Sequence, residues 1–200
     1  MARRLDPDKR ERILEAAIRV FARNGYRKSS VEEIAREAGI AKGGLYLYFT
    51  GKEELFGEAF LSCFEADRET LREAIANSRS PERTLRFLFD RWANLPPELE
   101  ESLGLFLDFL AECGRDRVRE SIRQRAADLY EEFWDLVADL LRGGIRRGQV
   151  RRGVEPRATA QAVLAFWDGL YAARYVTGEA VDLRRVSRAH LRLLLRGMRP

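Results

Sequence analysis

"SSVEEIAREAGIAKGGLYLYF", residues 29–49, holds two helix starts and one tight turn. Ser30 fits an N-cap, and Glu33 stands three residues on, the spacing of a capping box. Gly39 closes that short helix with a residue that accepts left-handed backbone. The spacing then predicts another short helix over Lys42–Phe49. Two short helices joined by a glycine turn make a helix-turn-helix, whose second helix lies in the DNA major groove with its N-terminal residues toward the bases. Gly43 and Gly44 fall at that end. Glycine inside a helix costs about 1 kcal/mol against alanine, so the pair implies a close approach to bases or phosphate, or else a plain loop. Lys42 adds a positive charge, and the hydroxyls of Tyr46 and Tyr48 suit phosphate oxygens unless both rings are packing residues. Leu45 and Phe49, four apart, are expected to point inward.

Outward from this stretch, helical periods fill the chain and no strand-like alternation of useful length occurs. A first helix runs from Pro7 to Asn24, with Ile13, Leu14, Ala17, Ile18, Val20 and Phe21 on its inner face and Gly25 as its stop. Thr50 is read as the cap of a longer helix reaching Ala76, with Glu53 closing the box. Ser80-Pro81 opens the next as N-cap and N1, carrying Leu85, Leu88, Phe89, Trp92 and Leu95 until Pro96-Pro97 breaks it. Helices over Glu98–Cys113, Asp116–Arg147 and Pro156–Thr177 follow, and Asp182 caps a last one ending near Met198. The expectation is an all-α fold of nine helices, without repeats or low-complexity linkers.

Of 200 residues, 46% are hydrophobic and 34% charged, which excludes a disordered tail and allows a sizeable core. Residues 1–52 hold twelve basic and seven acidic residues, a net of +5; the other 148 hold 24 basic and 25 acidic, a net of −1. A basic segment on a neutral body suggests a polyanion partner, although charge alone is equally compatible with ordinary scatter. Cys63 and Cys113 form no disulfide framework and no metal spacing, and no apolar run approaches a membrane span, so a cytoplasmic protein with no membrane partner, metal or cofactor is expected. Arg3 and Arg4 form either a disordered basic terminus or an arm for the minor groove.

Residues 13–56, "ILEAAIRVFARNGYRKSSVEEIAREAGIAKGGLYLYFTGKEELF", resemble the TetR-type transcriptional regulators. The matches run in order through Phe21, Gly25, Tyr26, Ser30, Ile34, Ala35, Ala38, Gly39, Lys42, Gly43, Leu45, Tyr46, Tyr48, Phe49, Lys52, Glu53, Glu54 and Leu55. The resemblance implies a DNA-binding domain over residues 1–52 and a ligand-binding and dimerisation domain over 53–200. It implies a homodimer on a pseudo-palindromic operator, most often as a repressor, with a small-molecule effector. Ser30 would touch phosphate, Lys42 and Gly43 would meet DNA at the start of the recognition helix, Tyr46 and Tyr48 would contact phosphate or sugar, and Lys52 would bind phosphate. Gly44 and Leu47 depart from the family's usual polar and aromatic residues. Leu47 can still pack on a thymine methyl, so few direct base contacts and more shape readout are expected.

Over Pro156–Thr177 the helical wheel gives two apolar faces, one with Val163, Phe166, Trp167, Leu170 and Arg174, the other with Ala165, Gly169, Ala172 and Val176. A helix apolar on two sides is buried on two sides, and small residues suit self-pairing. Leu191, Leu194, Leu195 and Met198 extend the apolar surface in the last helix. Inward aromatic residues are the candidates for lining an effector site: Phe60, Phe64, Phe89, Trp92, Phe106 and Phe109, then Tyr130, Phe133, Trp167 and Tyr171. Arg174 is either a salt-bridged or snorkelling side chain, or the counter-charge of an anionic or carbonyl-bearing ligand. His190, Cys63 and Cys113 read as structural. No Gly-rich phosphate loop, metal-spaced cluster or nucleophile elbow supports an enzyme. The remaining rival is a helical DNA-binding module without a small-molecule switch.

Overall fold

The computed structural model describes residues 6–94, 103–115 and 118–200. Among these run nine α-helices and no strand: α1 Pro7–Lys28, α2 Val31–Glu37, α3 Lys42–Leu45, α4 Lys52–Asn77, α5 Pro81–Ala93, α6 Leu103–Cys113, α7 Glu120–Arg146, α8 Pro156–Thr177 and α9 Leu183–Met198. Leu95, the Pro96-Pro97 break, the start at Glu98, Asp116, Arg3 and Arg4 lie outside the described residues.

The caps follow local chemistry. Ser30 Oγ accepts from the Glu33 N–H at 3.1 Å, Ser80 Oγ from the Arg83 N–H at 3.4 Å, and Asp182 Oδ1 from the Arg185 N–H at 3.0 Å. Each satisfies an N–H that has no partner inside its helix. Gly39 has the left-handed φ of +67° expected of it.

Three boundaries differ from expectation. Gly25, at φ 74° and ψ 161°, kinks α1 without ending it, and helical geometry resumes to Lys28. α3 stops at Leu45 because Tyr46, Leu47 and Tyr48 pass into turns, with both the Tyr48 and Phe49 N–H groups donating to the Leu45 carbonyl at 2.9 and 3.1 Å. α4 starts at Lys52, so Glu54 and not Glu53 occupies the third helical position; its carboxylate accepts from the Thr50 N–H at 2.7 Å. The Glu33 carboxylate likewise turns away from its own cap and accepts from Asn24 Nδ2 at 2.8 Å.

The chain divides into two compact units, residues 1–64 with 97–127 and residues 65–96 with 128–200. In the first, Phe21, Ile34, Leu45, Phe49, Leu55 and Phe56 are fully buried. Burying each such side chain stabilises the unit by about 1.5–3 kcal/mol. Leu45 and Phe49 do point inward, and they anchor the short α3. The second unit packs α5, α7, α8 and α9 around Phe89, Trp92, Phe133 and Trp167, with Leu191, Leu195 and Met198 from the last helix. Trp92 meets Trp167 edge to face at a centroid distance of 5.5 Å, and Phe133 at 5.6 Å.

Candidate functional site

At α3 the backbone is open. Among the described residues, a side-chain carbon built on Gly43 would meet nothing within 4 Å, and one on Gly44 would meet only Lys9 Nζ, at 3.8 Å. Neither glycine has positive φ. Tyr46 and Leu47 are 47% and 58% exposed, large values for such residues. Lys42 is exposed, lies 5.9 Å from the centroid of the Tyr46 ring and is paired with Glu32, which holds its ammonium above the ordinary lysine range. Tyr48 is half-buried, and its hydroxyl accepts from the Asp6 N–H at 3.2 Å, tying the start of α1 to the recognition segment. Ser30 is half-buried, with its hydroxyl engaged in the cap of α2.

Lys52 is engaged more deeply. Its Nζ donates to the carbonyls of Ser29 at 2.9 Å and Arg27 at 3.2 Å, and lies 4.5 Å from the centroid of the Tyr26 ring. Burial pushes its ammonium below the usual lysine range, while the charge of Glu112 pulls the other way. Gly25–Ser29 forms the corner between α1 and α2, where carbonyls at a helix end need partners. Ser29 Oγ donates to the Gly25 carbonyl at 2.7 Å, and Lys52 covers two further carbonyls.

The expected effector-lining residues fall into two sets. In the first unit, Phe60 stacks on Phe109 at 3.7 Å and 8°, with Phe64 at 5.2 Å and Phe106 at 6.4 Å. In the second unit, Phe89, Trp92, Phe133 and Trp167 belong to the buried core. Tyr171 donates to the Trp92 carbonyl at 3.0 Å, and Tyr130 to Asp168 Oδ2 at 3.3 Å. Arg174 is half-buried near the end of α8, with Nη1 3.5 Å from the Val181 carbonyl. His190 stacks on Phe166 at 3.8 Å and 6°, a packing role. Cys63 and Cys113 are only half-buried. A groove of about 290 Å³ along the ends of α4 and α5 is lined by Glu73, Asn77, Arg83 and Phe87 among others, and by none of the expected effector residues. Among the described residues no group of three or more His, Cys, Asp or Glu is placed to hold a metal, and no helix is long and apolar enough to cross a membrane.

Residues 13–59 match the model of bacterial regulatory proteins of the tetR family, and residues 81–196 match that of the C-terminal part of BetI-type transcriptional repressors. The chain belongs to the TetR family. It is a DNA-binding transcriptional regulator with an N-terminal helix-turn-helix and a helical C-terminal part. TetR-family regulators act as dimers that bind operator DNA and respond to small molecules. A relative in Bacillus subtilis, the fatty acid metabolism regulator protein, is 26% identical over 186 residues, 93% of each chain. The crystal structure of the regulator FadR from Bacillus subtilis, in complex with stearoyl-CoA, superposes with a TM-score of 0.69 at 25% identity, covering 94% of this chain and 98% of that one. A TetR regulator from Haloarcula marismortui has the same fold, with a TM-score of 0.83 at 19% identity and 96% and 99% coverage.

Within this TetR-family chain, several buried and half-buried acids escaped the sequence reading. Asp67 and Asp168 are both buried enough for desolvation to raise their carboxyls above the ordinary range, Asp168 to about 6, and both act on Tyr171. Glu58 is 9% exposed and takes Arg10 at 2.7 Å as well as Arg125. Asp108 Oδ2 accepts from the Tyr26 N–H at 2.7 Å, and Glu112 pairs with Arg27 at 3.4 Å and Arg115 at 3.1 Å. A signal was present: Asp67 continues the stripe of Phe60, Phe64 and Leu71, and Asp108 and Glu112 continue that of Leu105 and Phe109. An acid in a core register of a helix marks a buried partner.

Proposed function

We propose that the protein is a cytoplasmic homodimeric repressor, not an enzyme, that binds a pseudo-palindromic operator and leaves it when a mainly apolar effector enters the helical body. Residues 1–52 act as the reading head and residues 53–200 as the effector-binding and dimerisation body. One observation carries the reading. At Gly43-Gly44 neither the backbone conformation nor any neighbour among the described residues requires glycine. The requirement comes from outside, from DNA that approaches the backbone closely. Around it, Lys42, Tyr46, Tyr48 and Leu47 form the contact surface, with Ser30 beside it. Lys52 contributes whatever donor its two carbonyl bonds leave over.

Pairing is supported by the outer face of α8, where Ala165 and Gly169 are exposed and Val176 is 80% exposed. On α9, Val186 and Leu193, seven apart, are 37% and 66% exposed. A stripe of small and apolar residues on adjacent helices suits close two-fold contact. For the effector, Phe60, Phe64, Phe106 and Phe109 offer an apolar wall, and the relative that regulates fatty acid metabolism and the structure bound to stearoyl-CoA favour a long acyl chain.

Selection of random DNA with the purified full chain tests the proposal. A two-fold site with half-sites about one helical turn apart, released by stearoyl-CoA, is expected. Absence of any enriched DNA refutes it. Enriched DNA that neither stearoyl-CoA nor a library of apolar compounds releases leaves a DNA-binding module without a switch.

A further inference from the structure

The corner at Gly25–Ser29 is held from α6 as well as from Lys52. Gly25 breaks the hydrogen-bond ladder of α1, and the Tyr26 N–H that it frees turns to Asp108 Oδ2 at 2.7 Å. The same oxygen lies 3.4 Å from where a side chain on Gly25 would begin. One turn on, Glu112, 3% exposed, takes the Arg27 guanidinium at 3.4 Å. Its charge also acts on Lys52, which covers the carbonyls of Arg27 and Ser29. The Tyr26 N–H, the Arg27 guanidinium and the carbonyls of Arg27 and Ser29 are therefore answered by α6 or by the first residue of α4.

Aromatic packing runs beside these polar links. Phe56 lies 4.3 Å from Tyr26, 5.2 Å from Phe21 and 6.2 Å from Phe109 of α6, centroid to centroid. At 3.6 residues per turn, Asp108, Glu112, Leu105 and Phe109 share about 100° of the helix circumference. The acids that hold the corner and the ring that stacks on Phe60 thus sit on one face of one helix. α2 begins two residues after the corner ends, and α3 packs on α2. The direction of the recognition segment follows from how the corner is held.

We propose that Asp108 and Glu112 are positioning residues for operator binding: they fix the α1–α2 corner to α6, and so set the direction in which each subunit presents Gly43–Tyr48 to its half-site. This rests on the DNA-binding reading above and adds to it residues that touch no DNA. A pair of carboxylates serving only local stability would alter melting temperature and leave the geometry of the preferred site alone. A pair that sets direction controls the separation of the half-sites that the dimer accepts.

The experiment is DNA selection with the full-length wild type and with Asp108→Ala, Asp108→Asn and Glu112→Gln, reading both the half-site sequence and the distribution of half-site spacings. Asp108→Asn keeps an acceptor oxygen for the Tyr26 N–H and is expected to select the wild-type spacing. Asp108→Ala removes the acceptor that α6 offers that N–H; the expectation is an unchanged half-site sequence, a spread of spacings in place of one, and affinity for the wild-type operator lower by about tenfold or more. Glu112→Gln loses the ion pair and is expected to show the same spread, more weakly; it decides the matter if Asp108→Ala fails to fold by circular dichroism. A single, unchanged spacing in folded Asp108→Ala or in Glu112→Gln overturns this inference while leaving the DNA-binding reading intact. Failure of the wild type to select any DNA overturns both.

Discussion

Replacing Asp168 by asparagine should make stability less dependent on pH. Asp168 sits on α8 with one oxygen accepting from the Tyr130 hydroxyl, and burial raises its carboxyl from an ordinary 3.8 to about 6. The folded state therefore holds this proton more tightly than the unfolded chain. Stability from this group is full below about pH 4 and is lost as pH rises through about 6. A displacement of this size corresponds to about 3 kcal/mol of penalty at pH 7.5, because the ionised form is the one that burial disfavours. Asparagine carries no charge and keeps an oxygen for Tyr130. Urea unfolding of both proteins at pH 4 and pH 7.5, at one fixed protein concentration, is the assay. The variant should gain on the wild type by about 2–3 kcal/mol between the two pH values, with little difference at the lower one. Parallel profiles would show that Asp168 is well solvated or fully compensated, and the account of the α8 interior would be wrong.

Gly25→Ala should lower stability by about 1–3 kcal/mol, or roughly 2–4 °C per kcal/mol by thermal melting, because that combination of φ and ψ is nearly restricted to glycine. A change within experimental error would mean the kink is not obligatory. Lys42→Ala should reduce the slope of log affinity against log salt by about one if the ammonium neutralises one phosphate, with the melting temperature unchanged. Lys52→Ala should destabilise the folded chain first, since two carbonyls and the Tyr26 ring lose their cation; a variant as stable as wild type would contradict that placement. Gly169→Glu, which puts a charge on the exposed small-residue face of α8, should shift the protein toward monomer in analytical ultracentrifugation and abolish two-fold operator binding, and an intact dimer would exclude that face.

Much of the fold was readable from the chain because its signals are local. Ser30, Ser80-Pro81 and Asp182 cap helices through N–H groups three residues away, and Gly39 takes its left-handed turn within the same short span. Helical periodicity put Leu45, Trp92 and Trp167 inside for the same reason: the face a helical residue occupies follows from its spacing. The ordered matches over residues 13–56 carried the family. Tertiary structure decided the partners of polar groups. Lys52 opens a helix in the sequence, but the packing of α1 and α4 delivers it to carbonyls 23 and 25 residues away. Asp108 meets a backbone N–H 82 residues distant, and Asp168 meets Tyr130 across 38. Such pairings have no period and no neighbouring residue to mark them. They exist only once apolar faces have brought the helices together, and at that distance a polar side chain accepts whatever partner the packing leaves within about 3 Å.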